Sequence, residues 1–355
     1  MSFCPAHLAV EHTGEAGGSL TDERRDGGGP SHEPADGDTV TEHPVDLGST
    51  RGSGGRDGSV KMSGYDPHRM DNFGKGGKVA GTLELGMISS TWLGTKIGRI
   101  EGVHKAKEIG FDTYDVFEDA LDLVDAERAE IKTACEEAGL PVRSQLCVAF
   151  GLVDFNPAVQ RFTQERLRAN IDQGAYLGAR NLVVVIGEYY WDGEVFPNAA
   201  IWDMAVAGVR EAGEYAATKG LEVVVELEPF ATSLAKDVHE LVRFVRDVNV
   251  PAVRANADIS HLHLSGASFD DVKELTGLIG HIHLSDCDGK VHGDLPAGRG
   301  VTPIADYLQA IVDTGYEGTV SIELEYSPDP DQIVAWVTEA YGATAAIMRN
   351  VGVRP

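Results

Sequence analysis

After Lys78 the chain settles into a regular beat: a short aliphatic run, a turn, a longer amphipathic stretch, then another aliphatic run. Strand-like runs fall at Leu83–Met87, Thr113–Phe117, Val142–Val148, Asn181–Ile186, Glu222–Glu226, Val253–Asp258, Ile279–Leu284 and Thr319–Glu323. They are short, apolar and bounded by turn residues, as strands are. Between them, apolar positions recur at helical spacing over Arg99–Gly110, Glu127–Gly139, Gln160–Gly178, Asn198–Gly220, Asp237–Val248, Pro303–Gly315 and Asp331–Asn350. Several of these stretches close on glycine (KEIGF, EEAGL, AYLGA, ATKGL, VDTGY), the residue that most readily takes the left-handed turn at a helix end. Eight such units of roughly thirty residues, about 270 in all, predict an α/β fold of the (β/α)8 TIM-barrel type. An open doubly wound sheet is the alternative arrangement. It would carry a Gly-rich phosphate loop after its first strand, and LELGMISSTWLG contains no GxGxxG.

The first 79 residues follow no such pattern. They are rich in Gly, Asp, Glu and His with almost no aliphatic runs, as in GGGPSHEPADGDTVTEHP and GSTRGSGGRDGS. Such a segment cannot bury enough apolar surface to offset its chain entropy, which predicts a disordered tail over 1–79 and a barrel over 80–355. The tail lacks the basic start and apolar core of a signal peptide, and Met62, Met70 and Met87 are candidate alternative starts. No apolar run approaches the length of a membrane span, so no membrane partner is expected. The four cysteines show no pairing or CxxC pattern, which points to a reducing, cytoplasmic setting. A formal net charge of −26 repels polyphosphate and argues against nucleic acid. Homo-oligomerisation is compatible with all of this.

Four polar residues interrupt the apolar pattern where successive strands end: Glu226 in VVVELEPF, Asp258 in ANADISHLH, His283 in HIHLSD and Glu323 in TVSIELEYSP. In a barrel the C-terminal strand ends face one site, and these belong to strands five to eight. Three carboxylates and one imidazole form a hard, oxygen-rich donor set, suited to one divalent metal ion, Mn²⁺ first, with Mg²⁺ or Co²⁺ as alternatives. A single such residue would more simply cap a helix or pair with arginine; four in register favour the metal. Because residues two apart share a strand face, Glu228 competes with Glu226 and Glu325 with Glu323. Distance from the turn glycines Gly220 and Gly318 favours Glu226 and Glu323. The same alternation puts His261 beside His263 and His281 beside His283, and His263 and His281 read as interior or supporting residues.

From Thr82 to Val351 the chain resembles the sugar isomerase/epimerase superfamily of xylose-isomerase-like TIM barrels, which includes tagatose/psicose 3-epimerases, inosose dehydratases and AP-endonuclease-type nucleases. The likeness rests on G-x5-E at Gly220–Glu226, D-x-x-H at Asp258–His261, H-x-H at His281–His283, G-x4-E at Gly318–Glu323 and the segment HGDLPAGRGVTPIADYLQAIVDTGYEG. The resemblance implies that Glu226, Asp258, His283 and Glu323 hold one divalent metal. It also implies that Glu226 and Glu323 exchange protons with carbon from opposite faces of a sugar or sugar derivative, and that His261 contacts a substrate oxygen. The activity implied is a sugar isomerase or epimerase working through proton abstraction and an enediolate. A dehydratase or C-glycoside-cleaving lyase on the same scaffold is the runner-up, because it starts with the same proton abstraction. The nuclease reading needs extra histidines from early strands, yet His104 is the only one between Met70 and Asp237.

One departure concerns specificity: where tagatose-type epimerases carry arginine six residues after the ligand histidine, this chain has Gly289. Lys290, Arg299 and Lys236 are the candidates to replace that anchor, with Arg299 and Glu228 taken as substrate contacts. Trp92, Tyr189, Tyr190, Trp191 and Phe230 fall just past strand ends, where an aromatic ring can stack on a sugar; Trp92 is the expected platform.

Overall fold

A computed structural model describes residues 82–186, 196–325, 327 and 329–355 of the chain. The expected tail, and Tyr189, Tyr190 and Trp191, lie outside the described residues. Eight parallel strands pair in sequence order and close into a barrel through β8 and β1. They are β1 (Glu84–Ile88), β2 (Thr113–Val116), β3 (Val142–Val148), β4 (Asn181–Val185), β5 (Glu222–Glu226), β6 (Val253–Asp258), β7 (Ile279–Leu284) and β8 (Thr319–Ile322). The bounds of β3, β5, β6 and β7 coincide with those read from the sequence, β2, β4 and β8 each end one residue earlier, and β1 is shifted by one residue at both ends. The helices are α1 (Arg99–Ile109), α2 (Asp125–Ala138), α3 (Pro157–Leu177), α4 (Asn198–Lys219), α5 (Val238–Val248), α6 (Ile259–Leu264), α7 (Phe269–Val272), α8 (Ile304–Asp313) and α9 (Ile333–Val351).

Helix ends obey local chemistry. Asn156 and Asp237 cap α3 and α5 by accepting from Ala158 N and Glu240 N. After α4, Gly220 takes φ +77°, a left-handed conformation that a Cβ would strain, and the chain reverses straight into β5. The stretch between β6 and β7 differs from the long-helix pattern. It holds the short α6 and α7 and a 3-10 turn at Lys273–Leu275, because Gly266 at φ +74° interrupts the chain and Ser268 starts a new cap.

The barrel interior is divided. Ile88, Leu146, Val183 and Val224 form an apolar layer with Phe117 against it. Toward β2 and β7 it is polar: His281 Nε2 lies 2.8 Å from Asp115 Oδ2, and both residues are buried. Such a pair persists in the interior because each partner satisfies the other. Outside the strands one continuous aliphatic core joins the sheet to its helices, including Leu85, Val223, Val225, Ala257 and Ile282. Among the described residues no helix is long and apolar enough to cross a membrane. Cys135, Cys147 and Cys287 are free and buried.

Candidate metal centre and active site

Two-residue periodicity turns Val224 and Glu226 of β5 to one face, Asn256 and Asp258 of β6 to one face, and His281 and His283 of β7 to one face. The result is a buried cluster at the C-terminal end of the strands. One donor atom from each of Glu226, Asp258, His283 and Glu323 lies within 4.8 Å of the other three. Glu226 Oε1 accepts from Asn256 Nδ2 at 2.8 Å and lies 2.8 Å from His283 Nδ1. His283 Nδ1 is also 3.7 Å from Glu323 Oε2. Asp258 Oδ1 accepts from Ser260 Oγ and from His261 N, both at 2.7 Å, while Asp258 Oδ2 is buried with no hydrogen-bond partner.

The electrostatics fit a cation. Burial first, and then the negative Glu226, Asp294, Asp258 and Glu325, lift the Glu323 carboxyl well above its ordinary range. Burial lowers His283, but Glu226, Asp258 and Asp115 outweigh it and raise the imidazole. Burial would raise Asp258, yet His261, His292 and His283 overcome it and bring the carboxyl to about 2. Crowded carboxylates around an imidazole nitrogen, with one carboxylate oxygen otherwise unused, are relieved by a divalent ion at their centre.

His261 sits beside this cluster at the start of α6, 2 % exposed. Its Nδ1 donates to Leu227 O at 2.7 Å, which leaves Nε2 as a bare acceptor with no protein partner. Burial lowers its pKa, so the ring is neutral and its lone pair is free for a hydroxyl. Phe230 meets the His261 ring edge-on, with centroids 5.4 Å apart.

Over the mouth folds the connection from β7 to α8. Asp286 holds it: its carboxylate accepts from Cys287 N and Thr302 N through Oδ1, and from Gly298 N and Gly300 N through Oδ2, at 2.8–3.0 Å. A Cβ at Gly300 would stand 2.1 Å from Cys287 O, so only glycine fits this close return. The same loop delivers His292 and Asp294, paired at 2.8 Å. Burial lowers His292, but Asp294, Asp258 and Glu228 outweigh it and raise the imidazole to about 10. Glu325 is pushed up to about 7 by burial and by Asp294.

The geometry therefore gathers Glu226, Asp258, His283 and Glu323, with His261 alongside. Glu228, the competitor of Glu226, is buried near His292 and outside that group of four. Trp92 and Arg299 do not join the cluster. Trp92 is 5 % exposed, donates Nε1 to Tyr114 Oη at 3.1 Å and lies so close to Gly102 that a Cβ there would clash at 2.5 Å. It is a core residue rather than an open platform. Arg299 forms a two-pronged pair with Glu339 at 2.6 and 2.8 Å and covers the Trp336 ring at 4.3 Å. Asn256, Ser260, Asp286 and Asp294 also lie at the candidate site and carry no comparable mark in the sequence. Strand alternation two residues before Asp258 was a signal for Asn256; nothing local marked the others.

A family description, the xylose isomerase-like TIM barrel, matches residues 103–344, and the chain belongs to that family. The D-psicose 3-epimerase of Ruminiclostridium cellulolyticum is 31 % identical over 124 residues, 34 % of this chain and 41 % of that protein, so the match spans less than half of that relative. The L-ribulose-5-phosphate 3-epimerase UlaE of Shigella flexneri serotype 5b is 25 % identical over 268 residues, 71 % of this chain and 91 % of that protein. Among solved structures, the IOLI protein with a binding zinc atom shares the fold at a TM-score of 0.65 and 17 % identity, covering 76 % of this chain and 99 % of that one.

Proposed function

We propose that the chain is a divalent-metal-dependent sugar isomerase or epimerase that works by proton abstraction next to a carbonyl, through an enediolate. The observation that carries this reading is the convergence of Glu226, Asp258, His283 and Glu323 within 4.8 Å. The relatives named above are 3-epimerases, which supports the reaction class without fixing the substrate. Asp258 and His283 would hold the cation together with Glu226 and Glu323, with Mn²⁺ the best match to the donor set. The bound cation supplies positive charge that stabilises the anion left when carbon loses its proton. Glu226 and Glu323 come from β5 and β8, not adjacent strands, and approach a substrate carbon from two sides. One removes a proton and the other returns it, which inverts a stereocentre. His261 accepts a substrate hydroxyl at Nε2. Buried walls limit access of bulk water to the site. A soluble, cytoplasmic sugar enzyme is consistent with this reading.

The test is incubation of Mn²⁺-loaded protein with ketoses, inososes and keto-glycosides in D₂O, followed by mass and proton spectra. An isomerase or epimerase yields a product of substrate composition with deuterium at the carbon beside the carbonyl. A product lighter by water, or by a departed aglycone, assigns a lyase on the same scaffold. No exchange with any member of the panel would contradict the reading.

A further inference from the structure

Asp258 carries an unequal set of partners. Its Oδ1 takes two hydrogen bonds, from Ser260 Oγ and His261 N, and its Oδ2 takes none although it is buried. A carboxylate free to rotate about its last torsion would not keep its two oxygens apart in this way. Ser260 in turn lies 3.1 Å from His292 Nδ1, and His292 Nε2 lies 2.8 Å from Asp294 Oδ1. Directions follow from the ends of the chain. Ser260 Oγ–H donates to Asp258, so Ser260 meets His292 as an acceptor and Nδ1 carries a proton. Nε2 faces a carboxylate and carries one as well. The line of contacts runs from Asp294, in ion-pair range of His292, through His292 and Ser260 to Asp258, and joins two segments of chain, 258–260 and 292–294.

We propose that Ser260 and His292 are positioning residues for Asp258: they lock its Oδ1 so that Oδ2 is presented to the cation. This rests on the metal reading of the four-residue cluster. Outer partners of metal ligands act in this way generally, by fixing the orientation of the ligand before the ion arrives. His292, Asp294 and one atom of Glu323 also lie within 4.8 Å of one another, which raises a second cation as a rival. His292 Nδ1 is turned to Ser260 Oγ and Nε2 lies in ion-pair range of Asp294, so the imidazolium itself answers the Asp294 charge at that point. Asp294 holds the ring from a left-handed backbone position, φ +44°, and its Oδ2 also accepts from Glu325 N at 3.3 Å. The β7–α8 loop pinned by Asp286 thereby reaches the metal cluster through His292 without itself supplying a ligand.

Calorimetric titration of the metal-free full chain with Mn²⁺ tests the proposal, with the Mn²⁺ electron paramagnetic resonance spectrum as a readout of ligand geometry. Ser260→Ala and His292→Leu are each expected to weaken Mn²⁺ by about 10- to 100-fold and to alter the spectrum. His292→Asn keeps a donor where Nδ1 stood and should recover most of the affinity lost in His292→Leu. Wild-type Mn²⁺ affinity in both Ser260→Ala and His292→Leu, with Asp258→Asn defective, would overturn the positioning role and leave the metal site standing. Unchanged affinity in Asp258→Asn as well would remove the metal reading and this inference together. If His292→Leu does not fold, Ser260→Ala decides the matter, since it removes a single hydroxyl. A second equivalent of Mn²⁺ bound by wild type and lost in His292→Leu would favour the rival second site.

Discussion

Glu323→Gln is expected to lower turnover by at least about a hundredfold, the typical effect of losing a general base. The amide keeps the shape of the side chain but accepts no proton from carbon, and it is a poorer ligand. Glu226→Gln should do the same for a further reason. Glu226 Oε1 already accepts from Asn256 Nδ2 and faces His283 Nδ1, so an amide there must turn its oxygen to those partners and its NH₂ to the cluster. Substrate should still bind in both variants, because His261 is untouched. In a two-base epimerase the variants separate by reaction direction: one retains exchange of the substrate proton with D₂O and the other retains exchange of the product proton. Rapid-quench measurement of exchange against product formation reads this split. Full activity in Glu323→Gln would move the assignment to Glu325, two residues on.

The second large effect concerns metal affinity. Asp258→Asn should weaken Mn²⁺ by more than the roughly 10- to 100-fold seen for residues outside the ligand sphere. The reason is geometric: Ser260 Oγ–H and His261 N–H require an acceptor at the Oδ1 position, so the introduced amide must place its NH₂ where Oδ2 was. His283→Ala removes the only nitrogen donor of the group and should have a similar effect. Affinity should also rise with pH. His283 and Glu323 are both raised in the metal-free protein, so both hold protons to higher pH than usual. A cation must displace those protons: affinity is weakest at low pH and increases as pH climbs through the raised values. Titration calorimetry in two buffers of different ionisation enthalpy measures the released protons directly. Equal affinity from acid to neutral pH, with no proton release, would contradict this account.

The barrel was legible because parallel strands buried on both faces must be short aliphatic runs, and β4 (NLVVV) and β5 (EVVVE) stand out between amphipathic helices. The quartet was legible for the complementary reason. A charged residue at the end of such a run is costly unless it has a partner, and four successive strands end this way. What failed to show were contacts made by distant segments. Trp92 looks like a surface platform until Gly102 of α1 is seen to leave room for its indole in the core. Arg299 looks like a free anchor until Glu339, 40 residues on, claims it. His292, Asp294 and Asp286 lie in a Gly- and Pro-containing loop without periodicity, so no pattern announces which side chains turn inward. The Ser260 link to His292 joins residues 32 apart and depends wholly on that loop's path.

One divalent ion held jointly by Glu226, Asp258, His283 and Glu323 is the arrangement on which the proposed chemistry depends. Anomalous scattering collected on both sides of the manganese absorption edge, from crystals of Mn²⁺-loaded protein, locates the ion without reference to activity. A single strong peak per chain is expected, in contact with one atom from each of the four side chains and beside His261 Nε2. A peak at another set of residues, or none at full Mn²⁺ loading, would contradict it.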